Sequence, residues 1–255
     1  MRVDFQHCSS IKIGSSVEAA VISDRGFDPS GFFVVGAACN LLVSPAPPPI
    51  AILDRSFDYL RLENEVLIAG GKTPSGRIVS LCKKADLGGL EFLSGLPGSV
   101  GGLIAMNAGL KDACVFDRLL WVDFGRGRIA SGEIASGYRF AKLQGVVFEA
   151  AFRLAKGFDR ALEASLLAVR ASQPKEPSAG SCFKNPSGDY AGRLIEAVGL
   201  RGARRGGASF SQKHANFLVN LGGASFDDAI WLIDEAKRRV MESFNIALEL
   251  EIKIV

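Results

Sequence analysis

GLEFLSGLPGSVGG, Gly89–Gly102, is the stretch on which the reading of the fold turns. Glycine makes up 29 of the 255 residues. Each glycine loses more backbone freedom on folding than other residues do, so a dense run needs positive φ or close backbone approach. This run, and RGARRGG at Arg201–Gly207, read either as ligand-cradling loops or as ordinary tight turns. The nucleotide signatures that would decide for a familiar fold are missing. GGKTPSG (Gly70–Gly76) has Val66 where a Walker loop needs its first glycine, and no long helix-forming run is expected after it. GRG (Gly125–Gly127) has Ala130 in place of the third glycine of a dinucleotide fingerprint. There is no GxSxG elbow. Phosphoryl transfer, a Rossmann domain and serine hydrolysis all lose ground.

Composition narrows the class further. A chain of 255 residues that is 48% hydrophobic can bury one large core or two modest ones. Lys+Arg 30 against Asp+Glu 27 gives a net charge of +3, which carries no nucleic-acid signature. No apolar run is long enough to span a bilayer, and MRVDFQHCSSIKIG at the N-terminus lacks a secretory h-region. A soluble, cytoplasmic monomer without nucleic-acid or membrane partners is the expectation. The cysteines Cys8, Cys39, Cys82, Cys114 and Cys182 are odd in number and form no CxxC, so reduced thiols are expected. With only His7 and His214 as histidines, no zinc spacing arises and no metal is expected.

Outward from the glycine run, the pattern is α+β. IKIG predicts a short strand, and Ser16 a capped helix through Val17–Arg25. FFVVG, IAILD, EVLIAGG, LLWVDF and VVFEAAFRLAKG predict strands, the last two in one antiparallel sheet. Prolines in SPAPPPI mark an extended connection. After Phe158 the character changes. ALEASLLAVRASQP and YAGRLIEAVG read as helices, ANFLVN as a strand. Ser225 with Asp228 starts a long capped helix whose inner face would carry Ile230, Ile233, Val240 and Phe244. IALELEIKIV would close the chain as a strand, with Glu249, Glu251 and Lys253 on one face. A larger N-terminal part and a smaller C-terminal part follow, with a boundary near residue 157.

Four places keep reactive groups beside small residues: Tyr138–Arg139, Ser181 with Lys184 inside PSAGSCFKNP (Pro177–Pro186), the arginines of Arg201–Arg205, and Glu251. A guanidinium clamps carboxylate or phosphate with paired hydrogen bonds. A serine hydroxyl delivers a proton to a sufficiently basic carbanion. A carboxylate in an apolar strand is desolvated unless paired, and its proton affinity rises. Bland roles fit equally well: Arg139 as a strand-edge charge, Ser181 as a turn hydroxyl, Glu251 on a solvated face.

The order and spacing of GLEFLSGLPGSVGGLIAMNAG, PSAGSCFKNP, AGRLIEAVGLRGARRGGASFSQKHANFLVN and LELEIKIV resemble the UDP-N-acetylenolpyruvoylglucosamine reductase family, in its shorter subclass, over nearly the whole chain. The resemblance implies a two-part FAD-binding region of the non-Rossmann, vanillyl-alcohol-oxidase-like type over residues 1–157, with an internal break near 50–60. A substrate-binding α+β domain over 158–255 would return Glu251 to the active site on its last strand. It implies FAD as cofactor and NADPH as co-substrate in reducing UDP-N-acetylglucosamine enolpyruvate to UDP-N-acetylmuramate, a peptidoglycan precursor. A related FAD-dependent oxidoreductase with another substrate is the alternative. Carried over residue by residue, Gly36, Ala37, Ala38, Cys39, Asn40 and Leu41 form the first flavin loop. Pro97, Gly98, Ser99, Val100 and Gly101 would wrap the pyrophosphate through backbone N–H groups, with Asn107, Ala108 and Gly109 nearby. Ser181 matches the proton donor, and Arg139 and Glu251 the groups that polarise the substrate carboxylate. Tyr138, Lys184, Asn185, Arg193, Arg204 and Asn216 match substrate contacts. The chain departs from the pattern at GAACN, where a GGGSN-like loop is usual, and at Ala141, where YRxS carries a hydroxyl.

Overall fold

The computed structural model describes residues 1–255. Six α-helices occur: α1 Phe5–Cys8, α2 Ser75–Ala85, α3 Val100–Ala105, α4 Arg160–Ala171, α5 Ala191–Ala197 and α6 Phe226–Phe244. The chain separates into two compact units: Met1, 19–37 and 49–171 form the first, 2–18, 38–48 and 172–255 the second. The division is therefore not a single cut at residue 157. Helix α4 stays with the first unit because Leu166 enters its core and Lys83 Nζ donates to Glu163 Oε2 at 2.6 Å.

The first unit is built on an antiparallel sheet in the order Arg128–Ala130, Leu119–Asp123, Glu149–Arg153, Val66–Gly70, Leu60–Glu63. Leu67, Ala69, Val122, Ala150 and Phe152 alternate onto the core beneath it, where Ile78, Cys82, Leu103 and Ile104 of α2 and α3 pack. A second, parallel layer sets Ile50–Leu53 between residues 19–22 and Phe33–Val35. Ile22, Ala51, Phe57 and Phe148 fill its core. The helix expected over Val17–Arg25 is thus a strand, Ser16–Ile22. Val17, Val21 and Ile22 are stiff at χ1 and favour extended backbone, and neighbouring strands supply the ladder that decides it.

The second unit holds an antiparallel sheet in the order Ser178–Ser181, Phe217–Asn220, Ala208–Phe210, Arg204–Arg205. Helix α6 covers it with Ala229, Leu232, Ile233, Ala236 and Val240. Ser225 caps α6 as expected: its hydroxyl accepts from Asp228 N and the Asp228 carboxylate accepts from Ser225 N, both at 3.0 Å. Phe244, expected inward, is 37% exposed in the last turn of the helix, where its ring meets the Arg193 guanidinium 5.4 Å from the centroid. Two expected strands dissolve. IKIG has a left-handed Lys12 (φ +59°), and the Ile11 and Lys12 carbonyls accept from Asn220 Nδ2 instead of a ladder. The closing segment is a strand only at Lys253–Ile254, parallel to Leu41–Leu42, with one bridge from Leu250 to Phe183.

Candidate active site

In the first unit the glycine run bridges Ser99 to Pro74, beside GGKT, and ends in the first turn of α3. Val100 N donates to Thr73 O (2.9 Å), Gly101 N to Gly71 O (2.8 Å) and Ser75 N to Gly98 O (2.9 Å). The segment set aside as a phosphate loop is therefore the scaffold of the real glycine loop. A helix, α2, does follow it, contrary to expectation, starting after Pro74; Val66 still excludes the Walker motif. The Val100 and Gly101 N–H groups are committed internally, so those residues shape the loop rather than offering these donors to a phosphate. Gly98 takes φ +147°, a region costly for any side chain.

Gly36 approaches this loop closely. A Cβ on Gly36 would collide with Ser99 Oγ and come within 3.6 Å of Gly102 N. Ser99 is 3% exposed and its Oγ has no hydrogen-bond partner, a cost normally avoided unless a ligand supplies the partner. The first unit thus offers Gly36, Gly98, Ser99 and Gly102 as a cradle with an unmet hydroxyl, and a phosphate-bearing cofactor fits that chemistry. Ala108 and Gly109 follow α3, Ala108 O accepting from Val115 N at 2.9 Å. Asn107 is committed elsewhere: its Nδ2 donates to Gly137 O and its Oδ1 accepts from Phe116 N, both at 3.1 Å. It thereby holds the hairpin Ser136–Gly137/Phe140–Ala141, whose two-residue turn is Tyr138–Arg139. Arg139 is left-handed (φ +61°), Tyr138 is 54% exposed, and the guanidinium lies 5.2 Å from the tyrosine centroid. Ala141, without the family hydroxyl, packs on the first core.

In the second unit, Ser181 ends the strand Ser178–Ser181 opposite Phe217. Cys182 O accepts from Glu251 N at 2.9 Å, and Lys184 N donates to Glu249 O at 2.8 Å. Ser181 and Glu251, 70 residues apart in the chain, are therefore held on adjacent backbone. Asn40 joins them: its Nδ2 donates to Glu251 O at 3.0 Å, and its carbonyl accepts from Lys253 N at 2.9 Å. Ala38 is left-handed (φ +51°) and buried, its carbonyl accepting from Ser10 N. Burial raises the Cys39 thiol pKa, against a smaller opposing pull from the Ser10 side chain. Leu41 is buried, its backbone in the ladder with Lys253. Ala37 ends the first unit's segment and is exposed.

The remaining expected contacts divide. Lys184 Nζ reaches Glu249 Oε2 at 3.2 Å across a carboxylate that is 73% exposed, a weak pair that a ligand can replace. Asn185 Oδ1 accepts from Ala191 N and opens α5. Arg193 pairs with Asp189 and holds that carboxyl near pKa 2. Arg204 lies exposed on the sheet edge. Asn216 is 3% exposed, with both side-chain polar atoms on the Phe183 peptide. Reading the sequence missed Thr73 and Ser75 as supports of the glycine loop. The available signal was the pair Gly70–Gly71, where added Cβ atoms would strike the carbonyls of Phe57 and Val147.

The fold is α+β, of the non-Rossmann, vanillyl-alcohol-oxidase-like class. Residues 173–255 match the family model described as UDP-N-acetylenolpyruvoylglucosamine reductase, C-terminal domain. The chain is 45% identical to the UDP-N-acetylenolpyruvoylglucosamine reductase of Helicobacter hepaticus, covering 99% of this chain and 98% of that protein. It is 44% identical to that of Campylobacter jejuni strain RM1221, over 100% of both. The crystal structure of UDP-N-acetylenolpyruvylglucosamine reductase from Thermus caldophilus superposes with a TM-score of 0.87 at 32% identity, covering 100% of this chain and 98% of that one. The chain belongs to the UDP-N-acetylenolpyruvoylglucosamine reductase family. No helix is long and apolar enough to cross a membrane.

Proposed function

We infer that this protein reduces UDP-N-acetylglucosamine enolpyruvate to UDP-N-acetylmuramate with NADPH as reductant, as a cytoplasmic monomer supplying peptidoglycan synthesis. The observation that carries the reading of the chemistry is the placement of Ser181 and Glu251 on neighbouring backbone through Cys182 O and Glu251 N (2.9 Å). FAD, when bound, supplies the hydride-carrying redox chemistry. Gly36, Gly98, Ser99 and Gly102 would hold its pyrophosphate, and the unpartnered Ser99 Oγ would gain its missing bond there.

Each residue then has a task set by its chemistry. Arg139, on its tight turn, takes the substrate carboxylate and draws electron density toward it. Glu251 shares the charge that develops on the enolic product of hydride addition. Ser181 donates its hydroxyl proton to the carbon next to that carboxylate. Lys184 leaves Glu249 for the diphosphate, and Tyr138 packs along the sugar. Arg193 and Arg204 serve as outer contacts.

Ser181→Ala tests the reading. Anaerobic reduction of the flavin by NADPH is expected to persist. Reoxidation by UDP-N-acetylglucosamine enolpyruvate should slow by about 10²–10⁴-fold. Loss of both half-reactions, or of neither, refutes the proton-donor role. A parent protein whose reduced flavin ignores this substrate refutes the substrate assignment.

A further inference from the structure

We propose that Asn216 is a positioning residue for Ser181, acting through the Cys182–Phe183 backbone. This rests on the reading of Ser181 as proton donor. Both polar atoms of the amide are engaged: Oδ1 accepts from Phe183 N at 2.9 Å and Nδ2 donates to Phe183 O at 2.8 Å. The backbone of the same residue adds a third bond, Cys182 N to Asn216 O at 2.7 Å. A single planar amide thus imitates a neighbouring strand for Phe183. The opposite edge of this segment is held by the ladder of Cys182 O to Glu251 N and Lys184 N to Glu249 O. Asn216 therefore fixes one side of the chain immediately after Ser181, and the Glu251 segment fixes the other. An amide supplies, at every pH, the one donor and one acceptor that Phe183 takes up. A carboxylate would keep the acceptor and set negative charge against the Phe183 carbonyl. The requirement is local, since a misplacement of about 1 Å at a reacting group costs on the order of 10²-fold in rate.

The test uses full-length, FAD-loaded Asn216→Asp beside Ser181→Ala and the double variant, in anaerobic stopped-flow with NADPH and then UDP-N-acetylglucosamine enolpyruvate. In Asn216→Asp, flavin reduction is expected within about two-fold of the parent, while reoxidation at saturating substrate slows by about 10- to 100-fold with little change in apparent Kd. In the Ser181→Ala background the substitution should add less than about two-fold, because the group it positions is gone. Reoxidation within two-fold of the parent, equal slowing of both half-reactions, or full additivity overturns the proposal. Intact reoxidation in Ser181→Ala overturns the proton-donor reading and this proposal together. Intact reoxidation in Asn216→Asp beside an inactive Ser181→Ala overturns positioning alone. A second measurement does not depend on any variant folding: in the parent holoenzyme the Phe183 amide should exchange with deuterium as slowly as the amides of Phe217–Asn220. Exchange at the rate of an open loop overturns the proposal.

Discussion

At the scale of single residues, the site is organised by small groups that leave no room. Gly36 faces Ser99 Oγ so closely that a methyl group enters only if the hydroxyl moves aside. Gly36→Ala is expected to cost about 1–3 kcal/mol, read as a lowered urea midpoint, and Ser99→Ala in the same chain should return most of it. Equal midpoints for Gly36→Ala and parent would remove the steric argument. His214 gives a pH dependence. Its Nδ1 accepts from Asn216 N at 3.2 Å, and desolvation, only partly offset by a backbone hydrogen bond, lowers its pKa. The folded state thus prefers neutral imidazole, so the unfolded chain binds more protons as pH falls through the imidazole range. Stability from this group is present above about pH 6.5 and lost as pH drops below it. The urea midpoint of the parent should fall between pH 7.5 and pH 5.5 by more than that of His214→Gln, and parallel declines would count against the assignment. Thiol reactivity follows burial. Desolvation pushes Cys82 up to about 12 and Cys182 upward as well, whereas Cys8 is exposed. Iodoacetamide mapping of the native protein should find Cys8 alkylated well before either buried thiol.

At the scale of elements, capping and pairing separate what local sequence can specify from what it cannot. The Ser225–Asp228 capping box is a local device, read from the sequence and present with reciprocal bonds of 3.0 Å. Ser225→Ala should cost about 1 kcal/mol, and Asp228→Ala should lose most of its effect in that background. Independent, additive losses would show that the two groups do not cap as a pair. The strands were legible where a continuous apolar run stood between turn residues, as around Leu119–Asp123 and Glu149–Arg153, which pair antiparallel. Val17–Arg25 was not, because a short apolar segment with a serine in front satisfies helix and strand rules alike. Its pairing with Ile50–Leu53 lies some thirty residues away. IALELEIKIV alternates over its whole length, yet pairing stops it at Lys253–Ile254 and leaves Ile254 39% exposed.

At the scale of the whole molecule, the interleaving of the two units has an experimental consequence. The second unit's core draws Ile11, Ile13 and Leu42 from the N-terminal part into contact with Phe183, Leu218 and Ile252. Asn220 Nδ2 and Lys253 N bond to carbonyls from those same segments. A fragment of residues 172–255 alone lacks these partners and exposes apolar core. It should show no cooperative urea transition by circular dichroism, whereas the full chain should. A fragment with its own sharp transition would mean that the borrowed segments are dispensable.

What the sequence by itself determined is local: the lack of Rossmann and Walker spacings and the capped helix at Ser225; Ser181, Arg139 and Glu251 stood out only as reactive groups beside small residues, and their expected roles came from the family resemblance. The local features rest on residue type and short spacing, which survive without a partner. The three-dimensional fold alone decided that Ser181 and Glu251 are neighbours, that Asn107 and Asn216 serve the protein's own backbone, and that GGKT supports the glycine loop. Each of these depends on which distant carbonyl meets which N–H, and hydrogen-bond partners separated by tens of residues leave no local periodicity to read.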